Sequence, residues 1–263
     1  MDIVVCVKRV PDTAEAEVAI DRTGQQIDAG DLVYDINEWD AYAMEEAVLL
    51  KERVDGTVTA VTMGLEDDEE VLRRCLALGA DDAIRLTDPA FEGADGHATA
   101  VALASAIKGM SYDLILTGVQ ASDDGYGQVG PALAQMLRIP HATVVTNLEI
   151  DGKIARVRRE LEGGLEETVE VQLPAVLTIQ TGINEPRYVS IAGIRRVARR
   201  EIAVLGLGEL RLKSGQVGAS GARIEVEGLA LSEVGQKGEI LEGSVDAVTG
   251  QLVGIFASKG WLK

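Results

Sequence analysis

Residues 58–86 read VTAVTMGLEDDEEVLRRCLALGADDAIRL, and the order of patterns within them decides the fold. The apolar and β-branched run at 58–62 has the make-up of a strand buried on both faces. Gly64 then turns the chain into a helix expected over 66–78. Gly79 is placed to end that helix, because the position after a last helical turn is commonly left-handed and glycine takes it without steric cost. A short strand follows at 83–86. Strand, helix and strand in so short a span make a βαβ unit, with two parallel strands joined by a right-handed crossover.

The same rhythm extends both ways. Upstream, IVVCV at 3–7 is another continuous apolar strand. Asn37 has the character of a helix N-cap, with Glu38 and Asp40 in the first turn near the positive end of the helix dipole. That helix is expected to run to about Arg53 and to bury Ala43, Ala47 and Leu50. Downstream, the pattern predicts a helix over 95–108, a buried strand over 113–117, a glycine-bearing loop over 118–130 and a helix over 128–137 that stops before Pro140. Beyond Pro140 four strands are expected in succession, at 143–150, 154–161, 166–171 and 175–180. Asp151-Gly152 and Gly163-Gly164 are hairpin turns between them. From 201 onward the chain is glycine-rich and weakly periodic. It reads as an extended arm in need of a partner surface, or else as a small β-appendage. The expected architecture is α/β: a doubly wound, mostly parallel sheet with an antiparallel extension over 1–200, and a C-terminal arm over 201–263.

Composition narrows the function. The chain has 263 residues, 46% of them hydrophobic, and a formal net charge of −18. So acidic a protein is poorly suited to nucleic acid, whose affinity rests on cationic contacts to phosphate. Cys6 and Cys75 both lie in apolar segments and form no CxxC pair, which argues against a structural metal site, an iron–sulfur cluster or a disulfide framework. No apolar run is long enough to span a bilayer, and Met1 leads straight into a strand-like segment. The expectation is a soluble, cytoplasmic protein without membrane insertion.

A doubly wound sheet takes ligands at the carboxyl ends of its strands, near the point where strand order reverses. The segments leaving those ends are 8–13, 37–40, 63–64 and 118–130. The last, GVQASDDGYGQVG, is either a nucleotide loop or an ordinary glycine-rich loop. Gly125, Gly127 and Gly130 would let backbone approach a ligand, and the helix starting near Gln128 offers unpaired N–H groups to a phosphate. It has neither a Walker GK[ST] nor a GxGxxG fingerprint. Asp123-Asp124 would suit a magnesium ion or a solvated acidic turn. His97 and His141 lack a triad setting, and no nucleophile or paired-carboxylate constellation stands out. A second region is distinctive in so acidic a chain. After the Pro-containing stretch 184–188, an apolar tip (Val189-Ser190-Ile191-Ala192) runs into Arg195, Arg196, Arg199 and Arg200. An apolar anchor ringed by arginines has the anatomy of a protein-docking site.

At these residues the chain resembles the beta subunit of electron transfer flavoproteins. The resemblance rests on Val157-x-Arg159-x-x-Glu162-Gly163-Gly164-x-x-Glu167-x-Val169, on Pro174-x-Val176-Leu177-Thr178, and on Asn184-Glu185-Pro186-Arg187-Tyr188. Lys8-Arg9-Val10-Pro11-Asp12, Ala43-Met44-Glu45-Glu46-Ala47, Gly79-Ala80-Asp81 and Gly118-x-Gln120-Ala121-x-Asp123-Asp124 fit too, and the match covers roughly 1–200. The resemblance implies an adenine-nucleotide alpha hydrolase-like fold and a heterodimer with an alpha subunit that holds most of a redox FAD. Electrons would come from flavin dehydrogenases such as acyl-CoA dehydrogenases and pass to a quinone reductase or other acceptor. This subunit's own pocket would hold AMP, or a second FAD that takes hydride from NADH in electron-bifurcating relatives. The pocket residues so implied are Cys6, Lys8 and Asp12; Asn37, Glu38, Trp39 and Asp40; Met63 and Thr99. To these the loop adds Gly118, Gln120, Ala121, Ser122, Asp123, Asp124, Gly125, Tyr126, Gly127, Gln128 and Val129. The docking loop, near 184–200, would use Tyr188, Ile191, Arg195, Arg196 and Arg199. Val10-Pro11-Asp12-Thr13 and Gly93-Ala94-Asp95-x-x-Ala98-Thr99 resemble the bifurcating branch, from which Gly96 and His97 depart, and the 122–127 loop departs from both branches. Two other classes remain beside this one: an adenine-nucleotide hydrolase, and a nucleotide-binding module with no redox role.

Overall fold

The computed structural model describes residues 1–13, 18–30, 32–231 and 238–262. Its first half comprises β1 (Asp2–Cys6), β2 (Arg9–Pro11), β3 (Tyr34–Ile36), α1 (Glu38–Val54), β4 (Thr57–Met63), α2 (Glu69–Leu78) and β5 (Asp82–Leu86). There follow α3 (Gly96–Ile107), β6 (Leu114–Gly118), α4 (Val129–Leu137), β7 (His141–Asp151), β8 (Ile154–Leu161), β9 (Leu165–Gln172) and β10 (Ala175–Ile179). The chain ends with α5 (Ile191–Val197), β11 (Ala203–Leu205), the single turn α6 (Gly218–Gly221) and α7 (Val245–Ser258).

Nine strands form one sheet in the order β11-β5-β4-β1-β6-β10-β7-β8-β9. From β1 the chain winds outward through β4 and β5, then crosses back to place β6 on the other side of β1, parallel throughout. Strand order therefore reverses between β1 and β6. Along β1, Ile3 and Val5 pack with Met44, Leu72 and Cys75 of α1 and α2, whereas Val4 and Cys6 pack with Leu103, Ile107 and Leu133 of α3 and α4. A helical layer on each face explains why this strand is apolar at every position from Ile3 to Cys6 rather than at alternate ones. Each such large side chain, fully buried, stabilises the fold by about 1.5–3 kcal/mol.

The four strands after Pro140 are present, but their order in the chain is not their order in the sheet. β7, β8 and β9 form the antiparallel extension, while β10 returns to lie parallel between β6 and β7. Burial separates the two kinds. All five residues of β10 are buried, whereas β8 buries Ala155 and Val157 and exposes Arg156 and Arg158. The exposed side of the extension carries the cross-strand pairs Arg156–Glu170 at 2.9 Å and Arg158–Glu166 at 3.4 Å. Charge along an open edge discourages pairing with other chains.

The chain divides into two compact units, one of Met1–Ala19 with Asp28–Val226, the other of Ile20–Ile27 with Glu227–Lys263. The expected arm began at 201, but residues up to Val226 belong to the first unit. The reason is burial: β11 pairs with β5, and Ile202, Leu210 and Val217 are part of the core. Within the second unit Ile20 bridges Ile27, Leu229 N–H donates to Gly24, and α7 buries none of its residues. No described helix is long and apolar enough to cross a membrane.

Candidate functional site

A cleft of about 240 Å³ opens at the carboxyl ends of β1, β4 and β6, where the strand order reverses. Cys6, Val7 and Lys8 leave β1 into it, Val61 and Met63 come from β4, and Thr117 to Ala121 from the end of β6. Its far wall is the start of α3, with Asp95, Gly96, Thr99 and Leu103, and the start of α4, with Gln128, Val129 and Gly130.

Two glycines allow this closeness. A Cβ on Gly118 would lie 2.5 Å from Asp40 Oδ1 and 2.6 Å from Trp39 Cβ, so the end of β6 can meet the start of α1 only without a side chain. A Cβ on Gly130 would lie 2.4 Å from Thr178 Cγ2, which lets α4 begin directly against β10. The first N–H groups of such a helix have no intrahelical partner, and Gln128 makes no side-chain cap here. That is the chemistry of an anion-receiving helix start.

Asn37 stands at the N-cap position of α1 but does not cap it. Its Nδ2 donates to Gln120 O at 2.8 Å and its Oδ1 accepts from Ser122 N at 3.1 Å. At 1% exposure, this side chain is a buried tether for the 118–130 loop, and the loop N–H has taken the oxygen a cap would use. Asp40, on the same helix, accepts from Lys8 N at 2.8 Å and Gly118 N at 2.9 Å, and so ties β1 to β6 through its two oxygens.

Burial pushes the Asp40 carboxyl up to about 7, against the pull of those N–H donors and of Lys8. Burial likewise raises the Cys6 thiol to about 12, with Asp40 adding to the effect, so Cys6 is an inert floor residue rather than a nucleophile. For Asp40 a pKa raised in the folded state favours folding at low pH, where both states hold the proton. The advantage is lost as pH rises from the unfolded value, roughly 4, through about 7. Asp40→Asn abolishes this dependence and costs one N–H acceptor. Its stability relative to wild type, measured by urea unfolding, is therefore expected to improve from acid to neutral pH, by up to about 4 kcal/mol. A difference constant with pH would show that the Asp40 carboxyl titrates alike in the folded and unfolded states.

Of the residues implied for the pocket, Cys6, Lys8, Asn37, Asp40, Met63 and Thr99 line the cleft. So do Gly118, Gln120, Ala121, Asp124, Tyr126, Gly127, Gln128 and Val129. Asp12, Glu38, Ser122, Asp123 and Gly125 do not. Trp39 stands behind Gly118, with its Nε1 donating to Gln180 Oε1 at 2.8 Å. Asp123 and Asp124 both hold Lys8 Nζ, at 2.7 and 3.0 Å. Among the described residues no group of three His, Cys, Asp or Glu is placed to hold a metal ion. His97 does not line the cleft, and His141 opens β7.

Asp95 is the polar wall residue missing from the expected set. One of its oxygens caps α3 through Ala98 N at 2.8 Å, and the other accepts from Arg223 and Ile224 N at 2.6 and 3.0 Å. Burial works to raise its pKa, but the three N–H donors outweigh that and hold it low. The signal was its N-cap position beside a strand-end cleft.

Residues 26–209 match the model of the electron transfer flavoprotein domain. The electron transfer flavoprotein subunit beta of Methylophilus methylotrophus is 38% identical over 261 residues, covering 97% of this chain and 98% of that one. The protein of the same name from Thermoanaerobacterium thermosaccharolyticum is 39% identical over 254 residues, 96% of each chain. The chain belongs to the electron transfer flavoprotein family. A third relative, the caffeyl-CoA reductase-Etf complex subunit CarD of Acetobacterium woodii, is 38% identical over 262 residues, 98% of this chain and 99% of its own. Membership gives the chain an electron transfer flavoprotein role, with association to flavin and nucleotide in general.

In this electron transfer flavoprotein chain the arginine-rich segment is a two-turn helix rather than a loop. Ser190 caps α5 by accepting from Gly193 N at 3.0 Å, and the buried Gly193 and Val197, four apart, face inward, with Gly193 against Ala77 of α2. That spacing turns Ile191, Ile194, Arg195 and Arg196 outward, and Arg199 is exposed just beyond the helix. Tyr188 is 92% exposed and Ile191 67%. Just upstream, Asn184 Nδ2 donates to Tyr42 O and to Glu46 Oε2, each at 3.1 Å. Arg187 Nε donates to Glu45 at 3.0 Å and its Nη1 to Glu52 at 2.8 Å. The motif 184–187 is thus a staple onto α1, and Tyr188 starts the surface it presents.

Proposed function

We propose that this chain is the beta half of a heterodimeric electron transfer flavoprotein, joined to an alpha subunit. The supporting observation is similarity along nearly the whole chain, 97% of it, to a protein named for that subunit. FAD, shared with the alpha subunit, supplies the redox chemistry, taking electrons from flavin dehydrogenases of the acyl-CoA dehydrogenase type and yielding them to a quinone reductase or other acceptor. The chain's own residues bind, orient and present.

The cleft takes the adenine nucleotide portion common to AMP and to a second FAD. The fit rests on the helix start at Gln128, the side-chain-free approaches at Gly118 and Gly130, and the loop tethered by Asn37. Tyr188, Ile191 and Ile194 form an apolar surface ringed by Arg195, Arg196 and Arg199, suited to a dehydrogenase that is acidic around an apolar pocket.

Co-expression with an alpha subunit and extraction of the bound ligands test this. One flavin plus AMP per heterodimer identifies a simple carrier, and two flavins identify the form with a second FAD. A chain that binds nucleotide but forms no flavin-containing complex would be a binding module instead. In the heterodimer, Ile191→Ala is expected to slow reduction by the dehydrogenase roughly tenfold, the scale of one lost aliphatic anchor. Equal rates would remove the segment from docking.

A further inference from the structure

The mouth of the cleft is spanned by one cation. Among the described residues lining the cleft, Lys8 is the only positive side chain, whereas Asp40, Asp95 and Asp124 are acidic. Asp40 and Asp95 are already occupied by backbone N–H groups, from Lys8 and Gly118 and from Ala98, Arg223 and Ile224. Lys8 Nζ is held from the opposite side by Asp123 at 2.7 Å and Asp124 at 3.0 Å. The two anchorages differ. The Lys8 backbone is pinned, its N–H on Asp40 and its carbonyl accepting from Asn37 N at 2.9 Å. The aspartates instead ride on the loop between the Asn37 tether and α4, followed by Gly125 and Gly127 at φ of +64° and +61°.

We propose that Lys8 and Asp123-Asp124 form a charge latch across the cleft, which a ligand's phosphate releases by replacing both carboxylates at Lys8 Nζ. The latch sets how strongly the site prefers phosphorylated over unphosphorylated nucleosides. This rests on the nucleotide reading of the cleft. A phosphate at the start of α4 gains Lys8 only if the aspartates let go, and it then faces Asp124 unneutralised. An uncharged ligand leaves the pair intact. All three side chains are partly exposed, so solvent screens the pairing and leaves it weak enough to exchange.

The test is calorimetric titration of the full chain, stripped of nucleotide, with AMP and with adenosine. The quantity read is the ratio of their affinities. In the double variant Asp123→Asn/Asp124→Asn that ratio is expected to rise about threefold, and in Lys8→Gln to fall about threefold, the scale of one partly exposed charge interaction. Opposite signs are the signature, because general damage to the cleft moves both ligands alike. Should the double variant fold poorly, each single Asp→Asn change is expected to give a smaller rise of the same sign. A ratio unchanged, or moving the same way in both variants while both compounds bind, overturns the latch alone. Failure of the wild-type chain to bind either compound overturns the latch and the nucleotide reading together.

Discussion

Arg187→Ala is expected to lower the free energy of unfolding by about 3 kcal/mol, the lower end of the range for stripping one partner from a buried ion pair. Glu45, 4% exposed, receives the Arg187 backbone N–H and its guanidinium, and only the backbone bond survives the substitution. The lower end applies because the guanidinium is itself about a third exposed to solvent. The neighbouring Glu46 is also buried, and burial raises its pKa despite Asn184 and Arg53. A carboxyl with a raised folded pKa stabilises the fold below its unfolded value, and that contribution disappears as pH rises through the folded one. This Glu46 dependence is common to wild type and variant, so the deficit is read as the difference between the two at each pH. Urea unfolding across pH reads it. Arg187→Lys keeps the charge without the forked geometry and is expected to recover only part of the loss. A loss below about 1 kcal/mol would reduce the staple to a surface contact.

Gly118→Ala is expected to have the largest effect on the cleft. The added methyl meets Asp40 Oδ1 and Trp39 Cβ, neither of them the far end of a flexible chain. Asp40 is fixed by two N–H donors, and Trp39 Cβ is one bond from the backbone of α1. Relief therefore requires β6 or α1 to move, at a cost of about 1–3 kcal/mol in stability. The larger consequence is for ligand, because that movement displaces the loop tethered at Gln120 and Ser122. Adenine nucleotide affinity is expected to fall at least tenfold, a change of about 1.4 kcal/mol or more. Gly215→Ala is the matched control, with nothing within 4 Å of its added methyl. Nucleotide affinity equal in the two variants would mean that the cleft at β6 is not where the ligand sits.

Much of the fold was legible because apolar pattern reports burial. The β4-α2-β5 stretch carries a doubly buried run, a helical face of Val71, Leu72, Cys75 and Leu76, and Gly79 as its end. Pattern does not report neighbours, so the place of β10 between β6 and β7 stayed hidden although its burial did not. The helical form of α7 was also missed. Its residues are apolar nearly all round, so no polar face marks a period. In the cleft, strand ends and the glycine loop were readable from position. Asn37 was readable as a helix boundary, yet its partners lie at 120 and 122 and nothing local announces them. The same distance hid Glu45 and Glu46. Two acids in the middle of an apolar helix were a signal of buried partners, but Asn184 and Arg187 lie far along the chain.

The place of β10 also bears on how the protein is made. β6 pairs with β1 along one edge and with β10 along the other, and residues 119–174 lie between β6 and β10 in the chain. A nascent chain that has completed β1, β4, β5 and β6 still carries the unpaired apolar edge Leu114–Gly118, a template for association with other chains. The β7-β8-β9 ribbon can pair locally in the meantime, but closing the centre of the sheet waits for Ile179 to emerge. Helix α5 comes after that point and is stapled to α1 through Asn184 and Arg187. The exposed face of α5 is therefore synthesised only after every strand from β1 to β10 is available to pair.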